Sequence, residues 1–485
     1  MCGIAGWIDW RKDLTKAENR EVLVQMQESL KRRGPDEKGE WINENVGLVQ
    51  RRLIVIDPEG GKQPMIKKIA NNKFIISYNG ELYNTAELRR QLSKLGHKFN
   101  SHSDTEVLLT AYIEWGIECV NYLNGIYAFA VWDQKREQLF LARDRIGVKP
   151  LFYSERKNSL YFGSELKSIL AHPEIKPVIG REGLAEVFSV GPGRTPGHGV
   201  FKGIEELKPG HYLVYNKKEI KVKKYWQLQS RKHQESLEET VKNVRELFID
   251  TVQRQLISDV PICTLLSGGL DSSAITAVAS QRLKEQYNKQ LHTYSVDYKD
   301  NQKHFASSQF QPSTDDKWIN MMSNHSDTKH HDVVLNNQQL VKALKEGVYA
   351  RDLPGMADID VSLYLFCKEI EKKFTVAVSG ECADEIFAGY PWFHSKDILK
   401  RGVFPWSRNI ETRINLLNDE CKEIIKPGHY LEQRYQEALA EVPRLDSDSP
   451  ANKRMREITY LTLTRWMPVL LDRKDRMSMY TGLEV

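Results

Sequence analysis

Cys2 follows the initiator methionine directly and precedes Gly3. Removing Met1 would leave a thiol and a free α-amine on one residue. Such an amine has a pKa of about 7.7–8.0 and can accept the thiol's own proton. A thiolate made in this way can attack an amide carbonyl. A Met-Cys-Gly start alone can equally be incidental, so the case depends on other residues. Asn79 and Gly80 set an amide side chain beside a glycine N–H, which together could receive an oxyanion. Asn-Gly is also a hairpin-turn signature. Arg52 opens a predicted strand. Asp104 begins a predicted helix, where an acid also suits the helix dipole.

A second group of residues points to phosphate. Residues 265–273, Leu-Leu-Ser-Gly-Gly-Leu-Asp-Ser-Ser, follow one predicted strand and open a helix. Ser267, Gly268, Gly269 and Ser272 offer backbone amides and hydroxyls, and a helix N-terminus favours an anion. The pattern is not a Walker A loop, because GxxxxGK[ST] is absent. Ser379-Gly380-Glu381 ends another predicted strand, with Asp384 close behind. Backbone amides cannot hold a metal, so Asp271 and Asp384 are the expected ligands of a shared Mg²⁺ ion. Two strand ends of one parallel sheet define a ligand crevice at its carboxyl edge.

The elements that must position these groups fall into two textures. Up to about residue 190 the chain reads as short strands at 73–78, 126–132, 138–142 and 159–163, with helices at 19–30 and 104–115. Close spacing with polar turns implies antiparallel pairing in a layered α+β domain. Ser103 and Glu106 have the spacing of a capping box. Residues 190–209, rich in Gly and Pro, read as the domain junction, and a hairpin is expected over 212–226. From about 236 the pattern becomes helix 236–257, strand 260–266, helix 271–283, then strands at 292–296 and 374–378. That alternation predicts a parallel α/β sheet. The polar segment 299–315 reads as a mobile loop, and the chain beyond about 390 as largely helical.

Composition bounds the function class. The 485 residues are 40% hydrophobic and 28% charged, ordinary for globular domains. Seventy basic and 65 acidic side chains leave a net charge of +5, too diffuse to argue for nucleic acid or an anionic membrane. Six cysteines without a CxxC pair make no disulfide framework and fit a reducing compartment. No signal peptide or membrane span is legible. The expected setting is cytoplasmic.

The first group resembles the glutaminase domain of class II glutamine amidotransferases. The likeness rests on residues 2–6, Arg-Arg-Gly-Pro-Asp at 32–36, Arg-Leu at 52–53, Gln-Pro at 63–64, Tyr-Asn-Gly-Glu at 78–81 and Ser-Asp-Thr-Glu at 103–106. It implies an Ntn-hydrolase-type layered sandwich over 2–210, in which Cys2 attacks the glutamine amide and releases ammonia. Asn79 and Gly80 would form the oxyanion hole. Arg52 would clamp the substrate carboxylate, Asp104 would hold its ammonium, and Glu81 would join them in binding glutamine.

The second group resembles the PP-loop of ATP pyrophosphatases, implying an α/β parallel-sheet domain over 236–485 that uses ATP and Mg²⁺. The two domains in this order resemble the glutamine-hydrolysing asparagine synthetase family. That resemblance implies contacts from Leu266, Val296, Ser379 and Gly380 to the adenylate part of ATP, and a role for Glu381 in forming β-aspartyl-AMP. It also makes Arg476 the first choice for a catalytic cation, with Lys474 second. The implied partners are L-glutamine, L-aspartate and ATP, with no nucleic acid and no membrane; a homodimer stays open. The sequence departs from the family at Cys382-Ala383 and at Ala388, where glycines are commoner. It also stops at Val485, where the family continues, so a truncated synthetase domain is expected. Another amide ligase on the same plan, or a protein left with glutaminase activity only, stays open.

Overall fold

The computed structural model describes residues 2–307, 313–407 and 410–485. The chain divides into two compact units. The first holds the chain up to Leu228, with Trp406–Glu441 and Thr464–Asp472; the second holds Gln229–Pro405, Val442–Leu463 and Arg473–Val485. The expected ranges 2–210 and 236–485 therefore need two corrections. The break falls after 228 rather than in the Gly/Pro-rich segment, because the hairpin β11–β12 pairs into a sheet of the first unit. The helical region beyond 390 is also shared between the units rather than belonging to the second alone.

The first unit contains two six-stranded antiparallel sheets. One runs β10 (Glu205–Glu206), β8 (Phe152–Arg156), β9 (Ser159–Gly163), β1 (Cys2–Asp9), β3 (Val46–Arg52), β2 (Glu37–Ile42). The other runs β12 (Ile220–Lys224), β11 (His211–Tyr215), β7 (Gln138–Arg143), β6 (Gly125–Asp133), β5 (Asn72–Leu82), β4 (Met65–Ile69). Side chains alternate along a strand, so each sheet has two faces to cover. Ile75, Ala128, Ala130 and Trp132 pack with Ile4, Ile8, Val46 and Leu48 in one core between the sheets. Ile76, Phe129 and Val131 point the other way, onto Leu88, Leu92, Val107, Leu108 and Tyr112. Those residues belong to the helices Thr85–Lys94 and Asp104–Trp115. The helix Ala17–Glu28 lies on β1 and β3, which explains why both strands are buried throughout.

The second unit is built on a parallel sheet in the order β15 (Lys329–Leu335), β14 (His292–Tyr298), β13 (Ile262–Leu265), β16 (Val376–Val378). One face packs Cys263, Tyr294 and Ala377 against Phe366, Cys367 and Ile370. The other packs Ile262 and Val378 against Val252, Leu256, Ile275 and Ala279. Helices thus cover both faces, as a parallel sheet requires. The sequence reading missed β15 and the helices Asn337–Arg351 and Asp358–Ile370. Of the expected loop 299–315, residues 301–304 form a short helix and 308–312 lie outside the described residues.

Candidate active sites

In the first unit, β1 and β3 pair so that Cys2 faces Arg52 in register, and β5 lies alongside in the second sheet. Cys2 is buried, and burial pushes its thiol pKa up. The side chain of Gln50 and the backbone of Leu53 bond the thiol. The Cys2 backbone nitrogen donates to Asn79 Oδ1 at 3.0 Å. Asn79 is fully buried, yet its Nδ2 has no hydrogen-bond partner. A buried donor without an acceptor is costly, so it marks a place where an acceptor belongs.

Asn79-Gly80 does not form a hairpin turn. Both residues lie inside β5, paired with Ala128 and Tyr127 of β6. A Cβ on residue 80 would come within 2.3 Å of the Ile126 carbonyl oxygen, so only glycine fits there. Glu81 follows on the same strand and is partly buried. Asp104 opens its helix and is buried, with Oδ2 accepting from Tyr78 Oη at 2.9 Å and Leu82 N at 3.2 Å. Burial raises its pKa, and the hydrogen bonds from Tyr78 and the backbone oppose that shift. The expected capping box is only half formed. Ser103 Oγ accepts from Glu106 N, but the Glu106 carboxylate turns to the amides of Asn100 and Ser101.

Arg52 is engaged more fully than a free clamp would be. Its Nη1 donates to Glu37 and to the Pro58 carbonyl, and Nη2 to the carbonyls of Ile56 and Asp57. That organises the turn after β3 and leaves Nε as its uncommitted donor among five. Sequence reading missed a further pair, Arg33 and Glu165. Arg33 Nε donates to the Cys2 carbonyl at 3.1 Å, and Nη1 meets the Glu165 carboxylate at 3.1 Å. Both side chains are almost wholly buried. Arg33 sat in a quoted motif without a role, and nothing in the sequence around Glu165 points to it.

In the second unit, Leu266 follows β13 and is held by its N–H to the Tyr294 carbonyl at 2.8 Å. Ser267 N donates to Ser272 Oγ at 3.2 Å, which ties the loop to the first turn of the helix Leu270–Tyr287. Gly268 has φ +75, and a Cβ there would come within 2.7 Å of Trp318 Cβ and 2.9 Å of Ile319 N. Gly269 is the helix N-cap. Ser379 and Gly380 follow β16, beside β13. A Cβ on Gly380 would lie 3.1 Å from Ser272 N and 3.4 Å from Asp271, so the two turns touch. Burial raises the Asp384 pKa, and the charges of Asp271 and Glu381 add to that shift. Val296 lies on β14, partly exposed.

Glu381 meets two cations: Arg473 Nη2 at 2.9 Å and Lys474 Nζ at 2.8 Å. Burial works against its charge, but Lys474 and Arg473 outweigh it and hold its pKa below the usual value. Arg476, the first choice from sequence, is elsewhere. Its guanidinium is buried against the Ala350 carbonyl and the Asp352 carboxylate, where it fastens the end of the helix Asn337–Arg351. The cation facing Glu381 from the expected pair is therefore Lys474. Among the described residues, no three or more His, Cys, Asp or Glu side chains are arranged to hold a metal by themselves. Magnesium needs only one or two carboxylates when phosphate supplies the remaining oxygens, so Asp271 and Asp384 fit that ion.

Two family models cover the chain: a glutamine amidotransferase domain over residues 1–226 and asparagine synthase over 243–485. The asparagine synthetase [glutamine-hydrolyzing] 3 of Bacillus subtilis (strain 168) is 51% identical over 485 residues, covering 100% of this chain and 78% of that protein. Synthetases 1 and 2 of the same organism are 33% and 31% identical over 82% and 80% of this chain. This chain matches 60% and 52% of their lengths. The chain joins an amidotransferase domain to a nucleotide-binding α/β domain and belongs to the glutamine-hydrolysing asparagine synthetases, ligases that make asparagine with glutamine as amide donor and ATP as energy source.

Proposed function

We propose that this chain makes L-asparagine in two half-reactions, one in each unit. In the first, an Ntn-hydrolase-type sandwich, Cys2 attacks the glutamine amide carbon once Met1 is removed. The freed α-amine takes the thiol proton, because the buried thiol is too weak an acid to ionise unaided at neutral pH. Asn79 Nδ2 and the Gly80 N–H receive the oxyanion. Asp104 holds the substrate ammonium, Arg52 its carboxylate, and Glu81 joins them in binding glutamine. The thioester then hydrolyses and ammonia is released.

In the second unit, a PP-loop domain, the turns at 266–272 and 379–380 hold ATP, with Val296 beside the nucleotide. Asp271 and Asp384 would hold Mg²⁺, which when bound offsets the charge of the departing pyrophosphate. Aspartate's β-carboxylate attacks the α-phosphorus to give β-aspartyl-AMP, and ammonia displaces AMP. Glu381 and Lys474 act at this step. The ammonia must arrive unprotonated, which calls for a sheltered route. Six free thiols support a reducing, cytoplasmic setting.

The observation that supports this reading is the contact between the Gly380 turn and the Asp271–Ser272 turn, which sets the two Ser-Gly turns and Asp271 side by side. The test is aspartate-dependent pyrophosphate release. Asp271→Asn and Asp384→Asn should each abolish it while glutamine hydrolysis persists. Normal pyrophosphate release in both variants would refute the assignment.

A further inference from the structure

We infer that Arg473 reads the α-carboxylate of the acceptor amino acid and so sets acceptor specificity. This inference rests on the synthetase reading above. Arg473 carries five N–H donors on a planar fork. Its side chain is 12% exposed. Inside the unit it meets one oxygen, Glu381 Oε1 at 2.9 Å, and one thioether, Met356 Sδ at 3.8 Å. Its Nε is buried and has no hydrogen-bond partner. Sulfur is a weak acceptor, so this guanidinium is far from satisfied. Arg476, three residues on, shows the contrast, with a carbonyl and a carboxylate closing around its fork.

Lys474 already faces the second oxygen of Glu381, at 2.8 Å. Glu381 stands two residues after Ser379 and bonds that hydroxyl through its own N–H. Arg473 is thus anchored through Glu381 at the edge of the nucleotide crevice, with donors to spare for a second anion. Aspartate brings two carboxylates: the β-carboxylate reacts, and the α-carboxylate needs a fixed partner. A guanidinium edge suits a planar carboxylate better than a lysine point charge does. Met356 lies against the Arg473 guanidinium through its sulfur. It is held by its N–H to Asp360 Oδ2 at 2.9 Å, next to Ala357, whose backbone is strained at φ +44.

The experiment measures pyrophosphate release by the full chain with ATP and either aspartate or β-alanine, which is aspartate without its α-carboxylate. Arg473→Gln should raise the aspartate KM about ten- to a hundredfold, the scale of a lost charged hydrogen bond. The ATP KM should stay within about twofold, and because any turnover lost through Glu381 is common to both acceptors, the fall in kcat/KM with β-alanine should be at least about tenfold smaller than with aspartate. Arg473→Lys, which keeps the charge but loses the fork, should fall between and serves if the glutamine variant does not fold. An unchanged aspartate KM in either variant, or an ATP KM rising in step, would overturn the assignment. An unsubstituted chain that released no pyrophosphate with aspartate would overturn the synthetase reading beneath it.

Discussion

Asn79 meets Cys2 through its oxygen, not its nitrogen. The Cys2 nitrogen donates to Asn79 Oδ1, which turns the Asn79 Nδ2 into a buried donor with nothing to bond. On the proposed mechanism, this one side chain both positions the α-amine of Cys2 and presents an oxyanion donor. Removing one such donor costs about 10²–10³-fold in turnover. Asn79→Ala should lower glutamine hydrolysis by that order, with a smaller change in glutamine KM. A large KM change at constant turnover would make Asn79 a binding residue instead.

Lys474 and Arg476 should separate activity from stability. Lys474→Ala removes a partner of Glu381 and should depress pyrophosphate release by about 10²-fold or more, with the unfolding midpoint nearly unmoved. Arg476→Met leaves the Asp352 carboxylate buried without its guanidinium and should cost about 3–5 kcal/mol of stability. Urea unfolding and a pyrophosphate assay on both variants check this. The reverse pattern would restore Arg476 to the active site.

That reversal also shows where sequence reading runs out. Both residues belong to the helix Met467–Met479, and two positions apart they point about 200° away from each other. Which of them faces Glu381 depends on how the helix packs, and that is set by contacts distant in sequence. β5 and β6 were legible because apolar residues crowd short runs bounded by turns, and the Ser-Gly turns because they punctuate strand ends. β15 was not, since Lys329, His330, His331 and Asp332 supply little hydrophobic signal on an edge strand. Arg33 and Glu165 meet across 132 positions, and no local pattern encodes such a pairing.

Acid should weaken the first unit through His172. It is fully buried between Trp7 and Tyr161, with ring centroids 4.4 Å from each, and burial lowers its pKa to about 4. The unfolded chain binds this proton near pH 6.5, the folded chain only near 4. Stability is therefore full above about pH 6.5 and falls as pH drops toward 4, by up to about 3 kcal/mol. Denaturant unfolding at pH 7.5 and pH 5 should show a loss that His172→Phe reduces. An equal loss in the variant would remove His172 as the cause.

The two departures from the family's glycines fall at strained positions. Cys382 has φ +78 and Ala388 φ +58, both in the left-handed region that disfavours side chains. Cys382→Gly and Ala388→Gly should each relieve strain and stabilise by about 1 kcal/mol, less what the more flexible unfolded chain regains. Thermal unfolding of the second unit's transition measures it. A destabilised Ala388→Gly variant would mean that the methyl group contributes packing that outweighs the strain.

The most direct test of the central claim is asparagine formation by Cys2→Ala protein, with Mg·ATP and aspartate, supplied either with glutamine or with ammonium. The two-site account requires that the variant make no asparagine from glutamine and still make it from ammonium at a rate close to that of the unsubstituted chain. Asparagine from glutamine in the variant, or loss of the ammonium-dependent reaction along with the glutamine-dependent one, would contradict it.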